Sequence, residues 1–169
     1  VVGPETETRM GERGHQEMLA EFGPAIQPAG HPHTRAVERV GRRITAACGL
    51  ADTWAWRFYV VDRPNVANAM VLPGGFVFVF SGIFRAADDE DKLAAVIGHE
   101  VAHVLCRHPA ESLTTGAVTT VLSLLAQVLT GIYMGYDGLL RVLVALPRSR
   151  QMEREADHLG LLLAASAGY

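Results

Sequence analysis

No stretch constrains the fold more than residues 88–108, which read DDEDKLAAVIGHEVAHVLCRH. Four acids, Asp88 to Asp91, stand where a helix would begin and its macrodipole favours negative charge. Leu93, Val96, Ile97, Val101, Val104 and Leu105 then recur at helical spacing, which predicts a buried helix. Inside it, His99-Glu100-Val101-Ala102-His103 is an HExxH pattern. At about 100° per residue, the two imidazoles lie about 40° apart on one face and one turn apart along the axis. Side chains so placed can grip one Zn²⁺, while Glu100 beside them is positioned to activate a water on the metal. A five-residue pattern also arises by chance, so its context has to support it.

Tetrahedral catalytic zinc takes three protein ligands and leaves one position for water. His108 follows His103 by five residues, about 140° around a continuing helix, and is expected to point elsewhere. Cys106 shares the ligand face but lies about 10 Å along the axis from His99. The final helix offers a better partner in Glu153-Arg154-Glu155-Ala156-Asp157. Glu153 and Asp157 stand one turn apart on one face. Glu153 can complete the site, and Asp157 can accept the second N–H of a ligand imidazole. Glu155 points roughly opposite and reads as surface. An ordinary solvated acidic face is the competing reading of this stretch; the HExxH upstream favours ligation, because the metal needs an acidic partner.

Elsewhere the chain predicts a small α+β domain. Its 169 residues suffice for one buried core, and a net charge of −3 leaves no basic footprint for nucleic acid. Residues 1–33 read as a polar, helical N-terminal extension with a helix over Glu7–Phe22, weakened by Gly11 and Gly14. His15, His31 and His33 have no ligand spacing and read as solvated surface. Thr34 is expected to cap an amphipathic helix through Cys48, using Val37, Val40, Ile44 and Ala47, with Gly49 as its stop. Trp54–Val61, Ala67–Leu72 and Phe76–Phe80 read as strands, the last two joined by a Pro73-Gly74-Gly75 turn. Because FVFVF is apolar throughout, it is expected inside the sheet, with ANAMVL nearer an edge. Ser81–Ala86 suggests a short helical turn, and Pro109 a close or kink of the HExxH helix. Ser112–Tyr136 carries no charge over 25 residues, which suggests a membrane span. The return run Gly138–Leu146 contains Arg141 and is far too short to cross back, so a buried, interfacial or re-entrant helix is preferred. Arg148–Ala167 is the last expected helix, with Leu159, Leu161, Leu162 and Leu163 available for packing. Cys48 and Cys106 read as buried free thiols. With Val1 first and no recognisable leader, the chain is expected to be a mature or trimmed part of a longer protein.

Four blocks, NAMVLPGGFVFVFSGIF, LAAVIGHEVAHVLCRHPAE, LPRSR and EREADHLG, occur in that order. Together they resemble the zinc metallopeptidase family that includes the type 1 CAAX prenyl protease and the heat-shock membrane protease HtpX, and within it the mitochondrial inner-membrane endopeptidases. The similarity runs from about His31 to the GLLLAASAGY tail. It implies one Zn²⁺ per chain on His99, His103 and Glu153, a catalytic base at Glu100 and support of a ligand imidazole by Asp157. Asn68 and Ala69 resemble the substrate-facing edge strand of related gluzincins. Also implied are polypeptide substrates, membrane proteins among them, in stress response or quality control. The place implied is a membrane surface: the mitochondrial inner membrane in a eukaryote, otherwise a bacterial membrane, with homo-oligomers compatible. A downstream His that helps stabilise the oxyanion in relatives is expected to be missing, since the chain stops at Tyr169.

The expectation is therefore a zincin-like (gluzincin) α+β domain over residues 34–169, mostly helical, with a small sheet beside the HExxH helix. Its expected activity is zinc-dependent endoproteolysis. The rival is a non-proteolytic zinc-binding, membrane-associated interaction domain, which a closed site with a fourth protein ligand would favour.

Overall fold

The computed structural model describes residues 3–111 and 148–169. Both apolar runs read above, Ser112–Tyr136 and Gly138–Leu146, lie outside the described residues. Among the described residues no helix is long and apolar enough to cross a membrane.

Three strands form the sheet: β1 (Arg57–Val61), β2 (Ala69–Leu72) and β3 (Phe76–Phe80), in the order β1-β3-β2. β1 runs parallel to β3, and β2 antiparallel to it through the Pro73-Gly74-Gly75 turn. The expected interior place of FVFVF follows from its two faces. Val77 and Val79 join Val60, Ala69 and Val71 on one side, against α2 (Pro32–Ala47) and α3 (Glu90–Leu105). Phe76, Phe78 and Phe80 face the other way, with Tyr59, Met70 and Leu72, against Met18 and Phe22 of α1 (Pro4–Phe22). Alternation across a pleated strand places valine on one face and phenylalanine on the other. Full burial of a side chain such as Phe78 contributes about 1.5–3 kcal/mol.

Three local expectations change. Thr34 is not the cap of α2: His31 is, its Nδ1 accepting from the His33 N–H at 3.2 Å, while Thr34 is buried one turn inside. Pro32 at the first helical position begins the helix earlier than the Thr34 signal suggested. Ala47 is exposed. His15 is not surface: it is 7% exposed, stacks on Phe76 at 4.1 Å and lies 2.9 Å from the Tyr59 hydroxyl. Gly11 makes this docking possible, because a Cβ there would sit 1.7 Å from the Pro73 carbonyl oxygen. The glycine that weakens α1 as a helix is what lets α1 reach the hairpin.

α3 begins with Asp89, which accepts from the Lys92 N–H at 2.8 Å, and packs between the sheet and α4 (Arg150–Ser166). Ser149 caps α4 in the same manner. The two helices meet backbone to backbone at Gly98 and Gly160. A Cβ on Gly98 would lie 2.6 Å from the Gly160 oxygen, and one on Gly160 would lie 2.7 Å from the His99 nitrogen. Of the four leucines in α4, only Leu163 is buried and Leu159 half-buried; Leu161 and Leu162 are exposed.

Candidate metal centre

α3 projects His99 and His103 from one face, their Nε2 atoms 3.0 Å apart. Glu153, in the first turn of α4, reaches both: Oε2 is 3.4 Å from His99 Nε2, and Oε1 is 3.5 Å from His103 Nε2. Four-coordinate zinc with bonds near 2.0–2.1 Å holds its ligand atoms about 3.3 Å apart. The three donors therefore converge at the spacing such an ion needs. Among the described residues they form the one His/Cys/Asp/Glu group with metal-holding geometry, and it stops at three. His15, His31 and His33 take no part, and Cys48 and Cys106 are free thiols, half-buried rather than buried.

Burial and the neighbouring Arg148, His99 and His108 push His103 down to about 3. It is therefore neutral near pH 7, with a lone pair available for a cation. Glu100 stands beside the donors with its side chain 12% exposed. Burial raises its pKa, while Arg148 and His99 oppose that rise. Arg148, just ahead of α4, donates from Nη2 to Glu100 Oε2 at 3.4 Å. Asp157 Oδ1 lies 3.0 Å from His99 Nδ1. A cleft borders these groups, lined by Ala67, Asn68, Ala69, Ile83, Val96 and Leu161 beside His99, Glu100 and Asp157. Asn68 Oδ1 accepts from the Ala69 N–H at 2.9 Å, so this backbone donor at the sheet edge is already engaged.

Two further residues reach this cluster. His108 does not point elsewhere: its Nδ1 lies 2.8 Å from His103 Nδ1, and its side chain is 2% exposed. α3 ends at Leu105, and Arg107 adopts φ 58°, which turns the chain back. The Glu111 N–H then bonds the Arg107 carbonyl at 3.0 Å, so residues 108–111 start a new helical turn. Pro109 thus sits in the first turn of the next helix rather than closing the last one. That placement is common for proline, and it was the available signal. Glu155 is exposed, in line with its reading as surface, and its Oε2 lies 3.2 Å from His108 Nε2.

The sequence profile of peptidase family M48 matches residues 32–169. Among relatives, the chain is 43% identical to the mitochondrial metalloendopeptidase OMA1 of Schizosaccharomyces pombe, over 95% of this chain and 48% of that protein. Identity to the Saccharomyces cerevisiae protein of the same name is 34%, over 95% of this chain and 49% of the relative. A beta-barrel assembly-enhancing protease of Yersinia pestis is 28% identical over 80% of this chain and 30% of its own length. The chain spans about half the length of the first two relatives.

Proposed function

Because the chain belongs to peptidase family M48, a metallopeptidase family whose members use a metal ion, we propose that it is a zinc-dependent endopeptidase of the gluzincin type. The observation that carries this reading is the triangle of His99, His103 and Glu153 with Glu100 at its side. Two imidazoles and one carboxylate suit Zn²⁺, and a three-residue set suits a catalytic rather than a closed structural site. When bound, the ion supplies Lewis acidity, which acidifies water and polarises a carbonyl.

The chain's own groups do the rest. Glu100 takes the proton of the attacking water on a carboxylate oxygen and delivers it to the leaving amide nitrogen. Its burial lifts its basicity, and the Arg148 contact holds one oxygen in place. Asp157 accepts the Nδ1–H of His99, which keeps that ring's Nε2 lone pair toward the donors. An extended polypeptide pairs with the edge of β2 that no strand among the described residues covers, at Asn68 and Ala69, after Asn68 Oδ1 releases the Ala69 N–H. Ile83, Val96 and Leu161 then offer an apolar wall to a substrate side chain next to Glu100.

Residues 34–169 form the catalytic domain in this reading. Its substrates are membrane proteins, cut at the mitochondrial inner membrane in a eukaryote or at a bacterial membrane otherwise, as part of quality control. The names of the mitochondrial and beta-barrel assembly-enhancing relatives support that setting, as does the uncharged composition of residues 112–136. Zinc analysis paired with cleavage of an unfolded membrane-protein peptide is the test. Stoichiometric zinc with cleavage abolished by a chelator and restored by Zn²⁺ is expected. A purified chain that binds no zinc overturns the proposal.

A further inference from the structure

We propose that His108 and Glu155 form a relay that orients His103 for the metal: His103 donates from Nδ1 to His108 Nδ1, and His108 donates from Nε2 to Glu155. This inference rests on the zinc reading above and extends it to residues that touch no ligand position.

The proton order follows from the contacts. His103 Nε2 faces His99 Nε2 at 3.0 Å and Glu153 Oε1 at 3.5 Å, so this nitrogen must carry the lone pair when a cation is held there. A neutral imidazole has one N–H, which then sits on Nδ1. Facing it at 2.8 Å is His108 Nδ1, which must accept. The N–H of His108 is thereby placed on Nε2, 3.2 Å from the Glu155 carboxylate. One ordering satisfies all three groups. In the reverse ordering His108 donates to His103, which puts the His103 proton on Nε2 and spoils it as a ligand. Glu155 can only accept when ionised, so it selects the productive order.

The two ligand imidazoles therefore reach the acids of α4 by different routes. His99 meets Asp157 directly at 3.0 Å. His103 is 1% exposed and has an intervening imidazole between it and Glu155, which is itself 59% exposed. The turn at Arg107 supplies that imidazole, and an ion pair of Arg107 with Glu7 ties the turn to α1.

The test compares zinc dissociation constants of the full chain, by chelator competition, for the parent and for His108→Leu, His108→Gln and Glu155→Ala. His108→Leu leaves the His103 Nδ1–H without an acceptor and should weaken zinc binding about 10–100-fold. His108→Gln restores most of that loss, because its carboxamide accepts from His103 and donates to Glu155. Glu155→Ala, at an exposed position, should weaken binding less than His108→Leu. In the zinc-loaded parent, nitrogen NMR should report His103 protonated at Nδ1 and His108 at Nε2. Equal zinc affinity in all four proteins overturns the relay. If His108→Leu does not fold, the exposed Glu155→Ala variant and the parent's nitrogen spectrum decide: unchanged affinity there, or His108 protonated at Nδ1, overturns it. A parent that binds no zinc overturns the underlying metal reading, a separate outcome from a parent that binds and variants that match it.

Discussion

Two histidines are buried on opposite sides of the sheet, and their partners differ in kind. His103, on the α3 side, has a donor or acceptor opposite each ring nitrogen: His99 and Glu153 at Nε2, His108 at Nδ1. His15, on the α1 side, lies between Phe76, Phe78 and Tyr59, with one hydroxyl at its Nε2. Burial lowers the pKa of both. Burial alone therefore does not set the two apart; what distinguishes His103 is that polar side chains meet both its ring nitrogens, one of them, Glu153, brought from another helix. The comparison predicts that changes on the α3 side alter metal binding or cleavage, and those on the α1 side alter stability alone.

The largest expected effect is on chemistry without metal or fold. Glu100→Gln keeps shape and hydrogen-bonding capacity but accepts no proton, so cleavage should fall about 10²–10⁴-fold with zinc content and melting temperature unchanged. Parent-level turnover in a fully zinc-loaded variant would defeat the general-base role.

Glu153→Ala removes a proposed ligand rather than a supporting group. Its zinc affinity should fall by more than the roughly 10–100-fold that loss of an outer partner costs. Metal analysis beside circular dichroism checks this, and stoichiometric zinc at parent affinity removes Glu153 from the ligand set.

The two close approaches sharpen the contrast. Gly160→Ala places a methyl 2.7 Å from the His99 backbone and must push α4 off α3. It should cost about 1–3 kcal/mol of stability and weaken zinc binding as well, because Glu153 travels with α4. Gly11→Ala crowds Pro73 on the far side of the sheet and should destabilise while leaving zinc affinity alone. Chemical denaturation and zinc titration of both variants would show whether the sides separate; equal zinc loss in both would erase the distinction.

The smallest expected effect belongs to His15. His15→Leu deprives the Tyr59 hydroxyl of its partner and should cost about 1 kcal/mol. Above pH 6.5 the parent's His15 is neutral in both folded and unfolded chains. Below it the unfolded chain takes up a proton that the buried ring resists, so stability falls with pH. Denaturation above and below pH 6.5 should show the acid-side loss reduced in the variant, with zinc affinity at neutral pH unchanged.

What could be read from residues alone is what depends on short-range periodicity. The one-turn spacing of His99 and His103, the acid-rich start of α3, the alternation of Phe76–Phe80 and its central place in the sheet all follow from backbone geometry that repeats every 3.6 or 2 residues. Glu153 and Asp157 stood out as candidates because a metal held by two imidazoles would need an acid and a supported ring, which is a chemical constraint rather than a structural one. The tertiary structure decided the rest. Nothing local reveals that Gly98 and Gly160 touch, yet that contact sets how far α4 stands from α3 and brings the half-buried Glu153 carboxylate to a buried imidazole. Nor does helical extrapolation survive the left-handed residue at Arg107, which swings His108 from the far face onto His103. A single backbone dihedral redirects every side chain after it, and a single missing Cβ moves a whole helix. Those displacements are fixed by packing between distant segments, so they appear only once the chain is folded.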